Sequence, residues 1–353
     1  MKFNKNLINI ERDNDYNFDR SKFLRLDRNE RVIPYEKKDL LKVSKIVNDY
    51  FLQAYPSYKI DLLRKIYAKN KLHKKKNYDV TITPGADIAI RYIFELFTDN
   101  KNKKILSINP TYGMVNIYAD IFKFKVKKIN EKDLKEFSNK KNYENIQFVY
   151  LANPNNPSGE NIKTETLLKI LNICIEKKIL FVLDEVYIDY SSQKSFLNEI
   201  KNKINHILIL RSFSKSIGLA GLRVGYVIGS KKNIRIFNSI RPPHDTSYLS
   251  IKIANSLYDG EKKYLQKIKK SKKFVIEFCK KNKLKYKMTN ANFFHLYFNK
   301  VKIKKIFFKL KKNKILVKSN YLGNLVKTEQ SIRITLGNKE QMKFFFDNLM
   351  KAL

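Results

Sequence analysis

Short apolar runs alternate with helical periodicity between about residues 79 and 229. The runs read "DVTIT", "KILSI", "IQFVYL", "ILFVLDE", "HILILRSF" and "RVGYVIG", and amphipathic stretches such as "PGADIAIRYIFELF" separate several of them. Continuous apolar strands joined by helices are typical of a largely parallel sheet that is covered on both faces. The pattern therefore predicts an α/β fold for this part of the chain.

The pattern changes after about residue 248. A long lysine-rich helical stretch reaches about residue 283, and it is followed by "ANFFHLYF", a helix, "KILVK", "SIRITLG" and a terminal helix. This order is typical of a smaller α+β domain, and we expect the first 30 or so residues to join it. The predicted division is a large domain over 35–244 and a small domain made from 1–34 and 245–353.

The chain is strongly basic, with 73 Lys and Arg against 33 Asp and Glu and a formal net charge of +40. Such a balance can indicate a nucleic-acid or anionic-membrane partner. Only 12 of the 73 cations are arginine, and the lysines are spread along the whole chain. Because recognition modules concentrate charge and favour arginine, the distribution favours compositional drift and disfavours nucleic acid as a partner.

The sequence indicates a soluble, cytoplasmic protein. The segment "MKFNKNLINIERDNDYNFDR" contains no apolar signal region, and no segment approaches the roughly 18 apolar residues that span a bilayer. Cys174 and Cys279 lie far apart inside apolar helical patterns. This spacing argues against a disulfide framework or a metal site and fits a reducing cytoplasm.

Three predicted strand ends carry residues suited to ligand binding, and ligands bind at the carboxyl ends of parallel strands. "PGAD" over 84–87 begins a predicted helix. Either the N–H groups and the dipole of this helix start bind a phosphate, or the segment is only a helix cap. Tyr112 in "PTYGM" either stacks on a planar ligand ring or packs in the core. "NPNNPSG" over 153–159 is either a tight turn or a rigid loop that presents side-chain amides.

The run "ILFVLDEVY" ends a predicted buried strand in two carboxylates, Asp184 and Glu185, with Tyr187 following. An ionised carboxylate at the end of an apolar strand is costly to desolvate unless a cation offsets the cost. A helix cap and a metal ligand are the alternatives, and no neighbouring histidine or carboxylate cluster in the sequence supports a metal.

The stretch "RSFSKSIGLAGLRVGY" over 211–226 combines Lys215 with Ser212, Ser214, three spaced glycines and Arg223. A lysine amine in a crowded, partly desolvated pocket loses proton affinity and becomes a nucleophile toward carbonyls. Arginine is a bidentate donor to phosphate. Together with the acid, the aromatic ring and the amides of the other strand ends, these groups are the ones that a pyridoxal phosphate (PLP) site needs.

The motifs occur in the order found in fold-type I PLP enzymes, and the chain most resembles the histidinol-phosphate aminotransferase branch of the class I/II aminotransferases. The resemblance runs from "LRLDRNE" at 24–30 to the terminal helix and includes "ANF" at 291–293. It implies a PLP-dependent transferase fold, in which a large domain has a mostly parallel sheet covered by helices and a smaller C-terminal domain is α+β.

The resemblance also implies roles for individual residues. Lys215 would bond covalently to the cofactor and act as the catalytic residue. Tyr112 would stack on the cofactor ring, Asp184 would pair with the ring nitrogen, and Asn156 and Tyr187 would bond the ring hydroxyl. The residues implied at the cofactor phosphate are Ala86, Asp87, Ser212, Ser214 and Arg223.

Two further implications concern the partner subunit and the substrate. Tyr55 in "AYP" would reach across a subunit interface to the partner's cofactor phosphate, so the resemblance implies a homodimer. Arg333 in "SIRITLG" would bind the acidic group of the substrate, with Asn156 as a second substrate contact.

Departures from the family pattern bear on the substrate. Arg31 in "NERVIP" replaces a usual asparagine, and Lys318 in "KILVK" stands where the family often has arginine. "RPPHDTSYLS" over 241–250 replaces a common Pro-Tyr-Pro, and Arg241 and His244 are candidates to meet a substrate phosphate or carboxylate. We expect Arg31 and His244 to contact the substrate; the alternative for His244 is a loop position at the dimer contact.

The resemblance predicts a biosynthetic aminotransferase that moves an amino group from a small anionic amine, phosphorylated or carboxylated, to a 2-oxo acid. A decarboxylase of an O-phosphorylated threonine or serine is the alternative on the same scaffold, because the outcome depends on which Cα bond lies perpendicular to the cofactor ring. A nucleic-acid-binding protein on an inactive scaffold is the remote alternative. The intact Lys215, Asp184 and Arg223 argue against it.

Overall fold

The computed structural model describes residues 18–48, 55, 60–72, 75–99, 101, 103–200, 202–319 and 329–353. The α-helices within these ranges are α1 Lys37–Asn48, α2 Ile60–Lys69, α3 Gly85–Glu95, α4 Gly113–Ile121, α5 Thr164–Glu176, α6 Lys231–Ser239, α7 Tyr248–Leu257, α8 Glu261–Lys281, α9 Lys300–Lys312 and α10 Lys339–Ala352. The strands are β1 Leu24–Arg25, β2 Tyr78–Thr83, β3 Lys104–Asn109, β4 Lys125–Asn130, β5 Phe148–Ala152, β6 Leu180–Asp184, β7 Ile207–Ser212, β8 Gly225–Ser230, β9 Tyr286–Met288, β10 Phe293–Asn299, β11 Ile315–Leu316, β12 Lys318–Ser319 and β13 Glu329–Thr335.

A seven-stranded sheet forms the centre of the large unit, with the strand order β2-β8-β7-β6-β5-β3-β4. Strands β4, β3, β5, β6 and β7 pair in parallel, whereas β8 runs antiparallel to both β7 and β2. This arrangement confirms the predicted α/β class with a mostly parallel sheet.

Helices cover both faces of this sheet, and β5 shows why its sequence is continuously apolar. Phe148 and Tyr150 pack into a cluster with α3, α4 and α6. Val149 and Leu151 point the other way, into a cluster with α2, α5 and α7. Because successive side chains of a strand face opposite sides, a sheet that is buried on both faces needs an apolar residue at almost every position.

The small unit contains an antiparallel sheet with the order β12-β13-β10-β9, and α8, α9 and α10 pack with it around a separate apolar cluster. The N-terminal segment joins this unit: Leu24 of β1 pairs in parallel with Ile315 of β11, and Leu26 and Ile33 lie in the same cluster. The smaller α+β part was predicted, whereas the assignment of residues 1–34 to it stays a prediction, and residues 1–17 lie outside the described ranges.

The lysine-rich stretch predicted as one long helical segment is divided at Gly260. Before it, α7 packs Ile251 and Leu257 into the core of the large unit. After it, α8 packs Ile268 and Val275 into the core of the small unit. The predicted domain limits stay a prediction, and we propose that the division falls near Gly260 rather than at residue 244.

Both cysteines, Cys174 and Cys279, are buried free thiols. Over the described ranges, we find no helix with the length and apolar character needed to cross a bilayer.

Phe94 lies at the centre of a ring cluster on one face of the sheet, so its truncation should be costly. Its centroid lies 5.1 Å from that of Phe148 and 5.3 Å from that of Phe124, and its side chain is fully buried. Phe94→Ala should lower the free energy of unfolding by about 3–5 kcal/mol, through lost burial and the cavity left behind. Urea denaturation measures the change; Phe308→Ala, at a side chain that is 73% exposed, is the control and should cost less than about 0.5 kcal/mol. Equal losses in the two variants would contradict this account of the core.

Candidate active site

A cavity of about 890 Å³ opens at the carboxyl ends of the parallel strands. Its walls come from the ends of β5, β6 and β7, the first residues of α3 and α4, residues 27–30, and Lys318 and Arg333 of the small unit. The predicted site residues that line it are Ala86, Asp87, Tyr112, Asn156, Asp184, Tyr187, Ser212, Ser214, Lys215, Arg223 and Arg333. Residues that are far apart in the sequence therefore share one space between the large sheet and the small unit.

Two predicted site residues lie together outside this space. The Tyr55 side chain is 82% exposed, and its ring stacks on that of His244 with 5.2 Å between the centroids. Neither residue is among those that line the cavity of its own chain.

Two arginines that were candidates for the substrate are used elsewhere. Arg31 donates from Nε to the carbonyl of Ile33 and from Nη1 to that of Ile217, and it does not line the cavity. Arg241 is buried in an ion pair with Asp245 at 2.8 Å. Both guanidinium groups are therefore engaged by groups of this chain. The expected substrate contact of Arg31 stays a prediction, and the arrangement does not favour it.

Lys215 presents its amine to the cavity from the loop after β7. Its Nζ donates to the carbonyl of Arg28 at 3.1 Å and lies 5.8 Å from the ring centroid of Tyr187. The hydroxyl of Tyr190 donates to the backbone carbonyl of Lys215 at 2.7 Å, which holds the base of the side chain. The pKa of Lys215 is lowered to about 7, mainly by burial and then by the Arg333 guanidinium. The amine is therefore partly deprotonated near neutral pH.

Asp184 ends β6 and reaches the same cavity as a buried carboxyl group. The hydroxyl of Tyr150 donates to its Oδ2 at 2.7 Å, and the N–H of Val186 donates to its Oδ1 at 2.9 Å. Burial raises the pKa of Asp184 to about 6, although both hydrogen bonds act in the opposite direction. Hydrogen bonds therefore hold both carboxylate oxygens of Asp184 in place. A cation that enters the cavity would stabilise the ionised form of this group.

The adjacent carboxylate, Glu185, is used inside the protein. Arg211 donates to its Oε2 at 3.1 Å, Ser195 donates to the same oxygen at 2.6 Å, and the N–H of Phe196 donates to Oε1 at 2.7 Å. Glu185 does not line the cavity. Of the two consecutive acids, Asp184 alone faces the site.

Arg223 forms the centre of a concave group of donors. Its φ of 51° is left-handed, and its Nη1 donates to Ser214 Oγ at 3.4 Å and to the Ala220 carbonyl at 3.1 Å. Gly85, at the start of α3, has φ +78°, and a Cβ there would lie 2.9 Å from Arg223 Nη2. Glycine is required at this approach because it keeps the guanidinium beside the N-terminus of α3, where N–H groups and the helix dipole favour an anion.

Arg333 and Asn156 meet on the side of the cavity formed by the small unit. Arg333 donates from Nη1 to Asn156 Oδ1 at 3.0 Å and from Nη2 to the carbonyl of Asp27 at 2.8 Å. Asn29 donates to the Tyr187 hydroxyl at 3.1 Å. The segment 27–30 therefore connects the two units at the site.

Two residues with direct roles in this geometry were missed. Asn29 lies within the quoted "LRLDRNE", but nothing in its spacing assigned it a partner. Tyr150 lies inside an apolar strand, where a tyrosine is typical of a core residue. Only the parallel pairing of β5 with β6 brings it beside Asp184.

The donors that line the cavity fit PLP. They comprise an amine with a lowered pKa at Lys215, a buried carboxyl at Asp184, the ring of Tyr112, and an anion cradle of Arg223 and Ser214 that is tight enough to require glycine at position 85. The amine suits the aldehyde of PLP, and the carboxyl suits its protonated ring nitrogen. The tyrosine suits its planar ring, and the cradle suits its phosphate. Among the described residues, no cluster of three or more His, Cys, Asp or Glu is arranged to hold a metal ion.

The fold and the donor set together define a PLP-dependent enzyme of fold type I. The family model for aminotransferase class I and II matches residues 13–349. The chain belongs to this family and is a PLP-dependent aminotransferase, an enzyme that uses an amine and a 2-oxo acid.

Individual relatives agree with this family. The histidinol-phosphate aminotransferase of Clostridium botulinum (strain Okra / Type B1) is 28% identical over 343 residues, which cover 94% of this chain and 92% of the relative. The structure of histidinol-phosphate aminotransferase from Sinorhizobium meliloti in complex with pyridoxal-5'-phosphate superimposes with a TM-score of 0.82 at 20% identity, covering 99% of this chain and 97% of that one. L-threonine-O-3-phosphate decarboxylase from Porphyromonas gingivalis gives a TM-score of 0.74 at 20% identity, covering 93% and 98%. The two structures share the fold with this chain.

Asp184→Asn should change how the stability of the cofactor-free protein depends on pH. Because the pKa of Asp184 is about 6 when folded and 3.8 as the ordinary value, the folded state binds this proton more tightly. The wild type therefore loses stability, by on the order of 2–3 kcal/mol, as the pH rises through the window between these two pKa values, whereas asparagine does not titrate. The free energy of unfolding of the variant minus that of the wild type should rise across the window and then level off. Urea titrations at several pH values measure it, and a difference that stays flat would rule out the buried carboxyl.

The lowered pKa of Lys215 should appear in the capture of PLP by the cofactor-free protein. The neutral amine is the reactive form, so the rate at which visible absorbance develops should rise with pH around a midpoint near 7, well below the ordinary lysine value of 10.5. Lys215→Ala should remove the covalent band. Lys38→Ala, at a side chain that is 71% exposed, is the matched control and should leave both rate and midpoint unchanged. A midpoint near 10 in the wild type would contradict the burial of this amine.

Proposed function

We propose that this aminotransferase acts on a phosphorylated amine of the histidinol phosphate type and passes the amino group to a 2-oxo acid. The observation that carries the proposal is the presence of cationic groups on two different walls of the cavity. Arg223 lies on the large unit beside α3, whereas Arg333 and Lys318 come from the small unit. One wall serves the cofactor phosphate and the other serves an anionic group of the substrate.

The residues of the large unit bind and orient the cofactor. Arg223, Ser212 and Ser214, with Ala86 and Asp87 at the start of α3, hold its phosphate. Tyr112 would lie against its ring, Asn156 and Tyr187 would bond its ring hydroxyl, and Asp184 would face its ring nitrogen. PLP, when bound, supplies an aldehyde that takes up the amino group and a protonated ring that withdraws electrons from the substrate Cα.

Lys215 is the proton carrier in this proposal. Its Nζ is partly deprotonated near neutral pH and lies over the Tyr187 ring inside the cavity. With PLP held in the cavity, Nζ would be placed to accept the proton from the substrate Cα and to release it again, as general base and acid. Asp184 favours this step because its ionised form stabilises a cation at the ring nitrogen.

The position of Tyr55 supports a homodimer. The side chain is 82% exposed beside His244 and does not line the cavity of its own chain. This polar aromatic group is therefore available to a second copy of the chain. We propose that Tyr55 reaches the partner's cofactor phosphate. A cytoplasmic location and the absence of a nucleic-acid partner stay predictions.

Decarboxylation of an O-phosphorylated amino acid is the second candidate. The same cations of the small unit, Arg333 and Lys318, suit a substrate phosphate, and the fold is shared with a solved enzyme of that activity. The two reactions differ in the Cα bond that is broken, so product analysis separates them.

The substrate proposal predicts formation of glutamate from 2-oxoglutarate only when histidinol phosphate is present. Arg333→Ala should raise KM for histidinol phosphate by about 10- to 100-fold, because the loss of a charge-assisted bond to an anion costs about 1.5–3 kcal/mol. The visible absorbance of bound PLP should still form, because Lys215, Asp184 and Arg223 are intact in this variant.

The control for this experiment is Arg91→Ala, which removes an exposed arginine paired with Glu95. It should leave KM unchanged. Release of carbon dioxide from threonine phosphate, without glutamate formation, would favour the decarboxylase instead.

A further inference from the structure

Arg31 lies behind the cavity wall and binds backbone carbonyls from two segments. Its Nε donates to Ile33 O at 2.8 Å and its Nη2 to Pro34 O at 3.4 Å, which holds the N-terminal segment. Its Nη1 crosses to the loop that carries Lys215 and donates to Ile217 O at 3.1 Å. We refer to residues 213–219 as the lysine loop.

Two aromatic rings pack against the Arg31 guanidinium. Its Cζ lies 3.8 Å from the ring centroid of Tyr35 and 4.5 Å from that of Tyr264. The Tyr35 hydroxyl also donates to Ile217 O, at 2.8 Å, so this carbonyl of the lysine loop accepts two hydrogen bonds. Only arginine combines a planar cation that stacks on rings with several donors in fixed directions; a lysine ammonium does not.

The aliphatic part of Arg31 fills the space above Gly218 of the lysine loop. A Cβ on Gly218 would lie 2.2 Å from Arg31 Cδ and 2.5 Å from Arg31 Cβ, and Gly218 has φ +91°. The loop therefore takes a shape that only glycine adopts easily, and Arg31 covers it in direct contact.

The two segments that Arg31 connects meet again inside the cavity. The Lys215 amine donates to the carbonyl of Arg28, and the Asn29 side chain donates to the hydroxyl of Tyr187, next to which that amine lies. A movement of the lysine loop relative to residues 27–30 would therefore move the amine relative to the cavity groups around it.

We propose that Arg31 is a positioning residue that clamps the lysine loop to the 27–30 segment and so sets the location of the Lys215 amine in the cavity. The proposal assigns Arg31 to the reaction through Lys215 and not through substrate contact. It rests on the proposed role of Lys215 with PLP and is independent of which amine is the substrate.

The test compares Arg31→Lys, Arg31→Ala and Tyr35→Phe in the cofactor-loaded full-length protein. We expect Arg31→Ala to lower kcat by about 10- to 100-fold with KM within about threefold, since a small displacement of a reacting group costs about this much in rate. The pH midpoint of the visible absorbance change should rise by on the order of one unit, because a loosened loop admits water and favours the protonated nitrogen. Arg31→Lys keeps the charge and should rescue neither quantity.

Tyr35→Phe keeps the ring and removes only the second donor to Ile217 O, so it covers the case in which Arg31→Ala fails to fold. It should shift the midpoint by less than Arg31→Ala does. The double variant should shift it by more than the sum of the two single shifts, because the carbonyl then loses both donors. Arg64→Ala, at a side chain that is 77% exposed, is the matched arginine control and should change neither kcat nor the midpoint.

Two results would overturn the proposal. An increase in KM with an unchanged midpoint would show that Arg31 acts on the substrate. A fall in the thermal midpoint of unfolding, with unchanged kcat and absorbance midpoint, would show a purely structural role. If no amino donor bleaches the wild-type absorbance, the proposed function fails, whereas the pH titration of that absorbance still decides the role of Arg31.

Discussion

Lys215 and Asp184 lose their hydration in one cavity, and most of the site can be understood from that shared desolvation. Burial moves the pKa of each group toward neutrality, the amine downward and the carboxyl upward. A ligand that places an opposite charge beside either group, or exchanges a proton with it, therefore changes the protonation state of that group. Tyr150 and Val186 orient the carboxyl, so that its geometry does not depend on a nearby cation.

A partly buried ionic network lies behind the cavity. Arg211 pairs with Glu185 and Asp189, and Lys69 pairs with Asp189 and Glu261. Arg211 and Glu185 are its buried members, and a buried charge is tolerated only where it is paired and hydrogen-bonded, so this pair constrains the ends of the strands that carry it. The network joins α2, the end of β7 and the start of α8, and Ser216 of the lysine loop donates to Glu261 of that network.

The class of fold was predictable because burial on both faces of a sheet leaves a continuous apolar pattern in the strands. The division between the two units was harder, since α7 and α8 are both lysine-rich and amphipathic. Gly260 separates them, and only packing shows that α7 belongs with the large core and α8 with the small one. A helical period specifies that a face is buried but not which core buries it.

The sequence by itself determined the chemistry available at the strand ends: an amine at Lys215, an acid at the end of β6 and a guanidinium at Arg223, in an order that matches one family. Only the tertiary structure decided which of these groups share a cavity. Asp184 lines the cavity, whereas Glu185 pairs with Arg211 behind it, and Arg31 donates to Ile217 of the lysine loop. The physical reason is that residue type and spacing set what a side chain can do, whereas its partners come from contacts between segments that are distant in the chain.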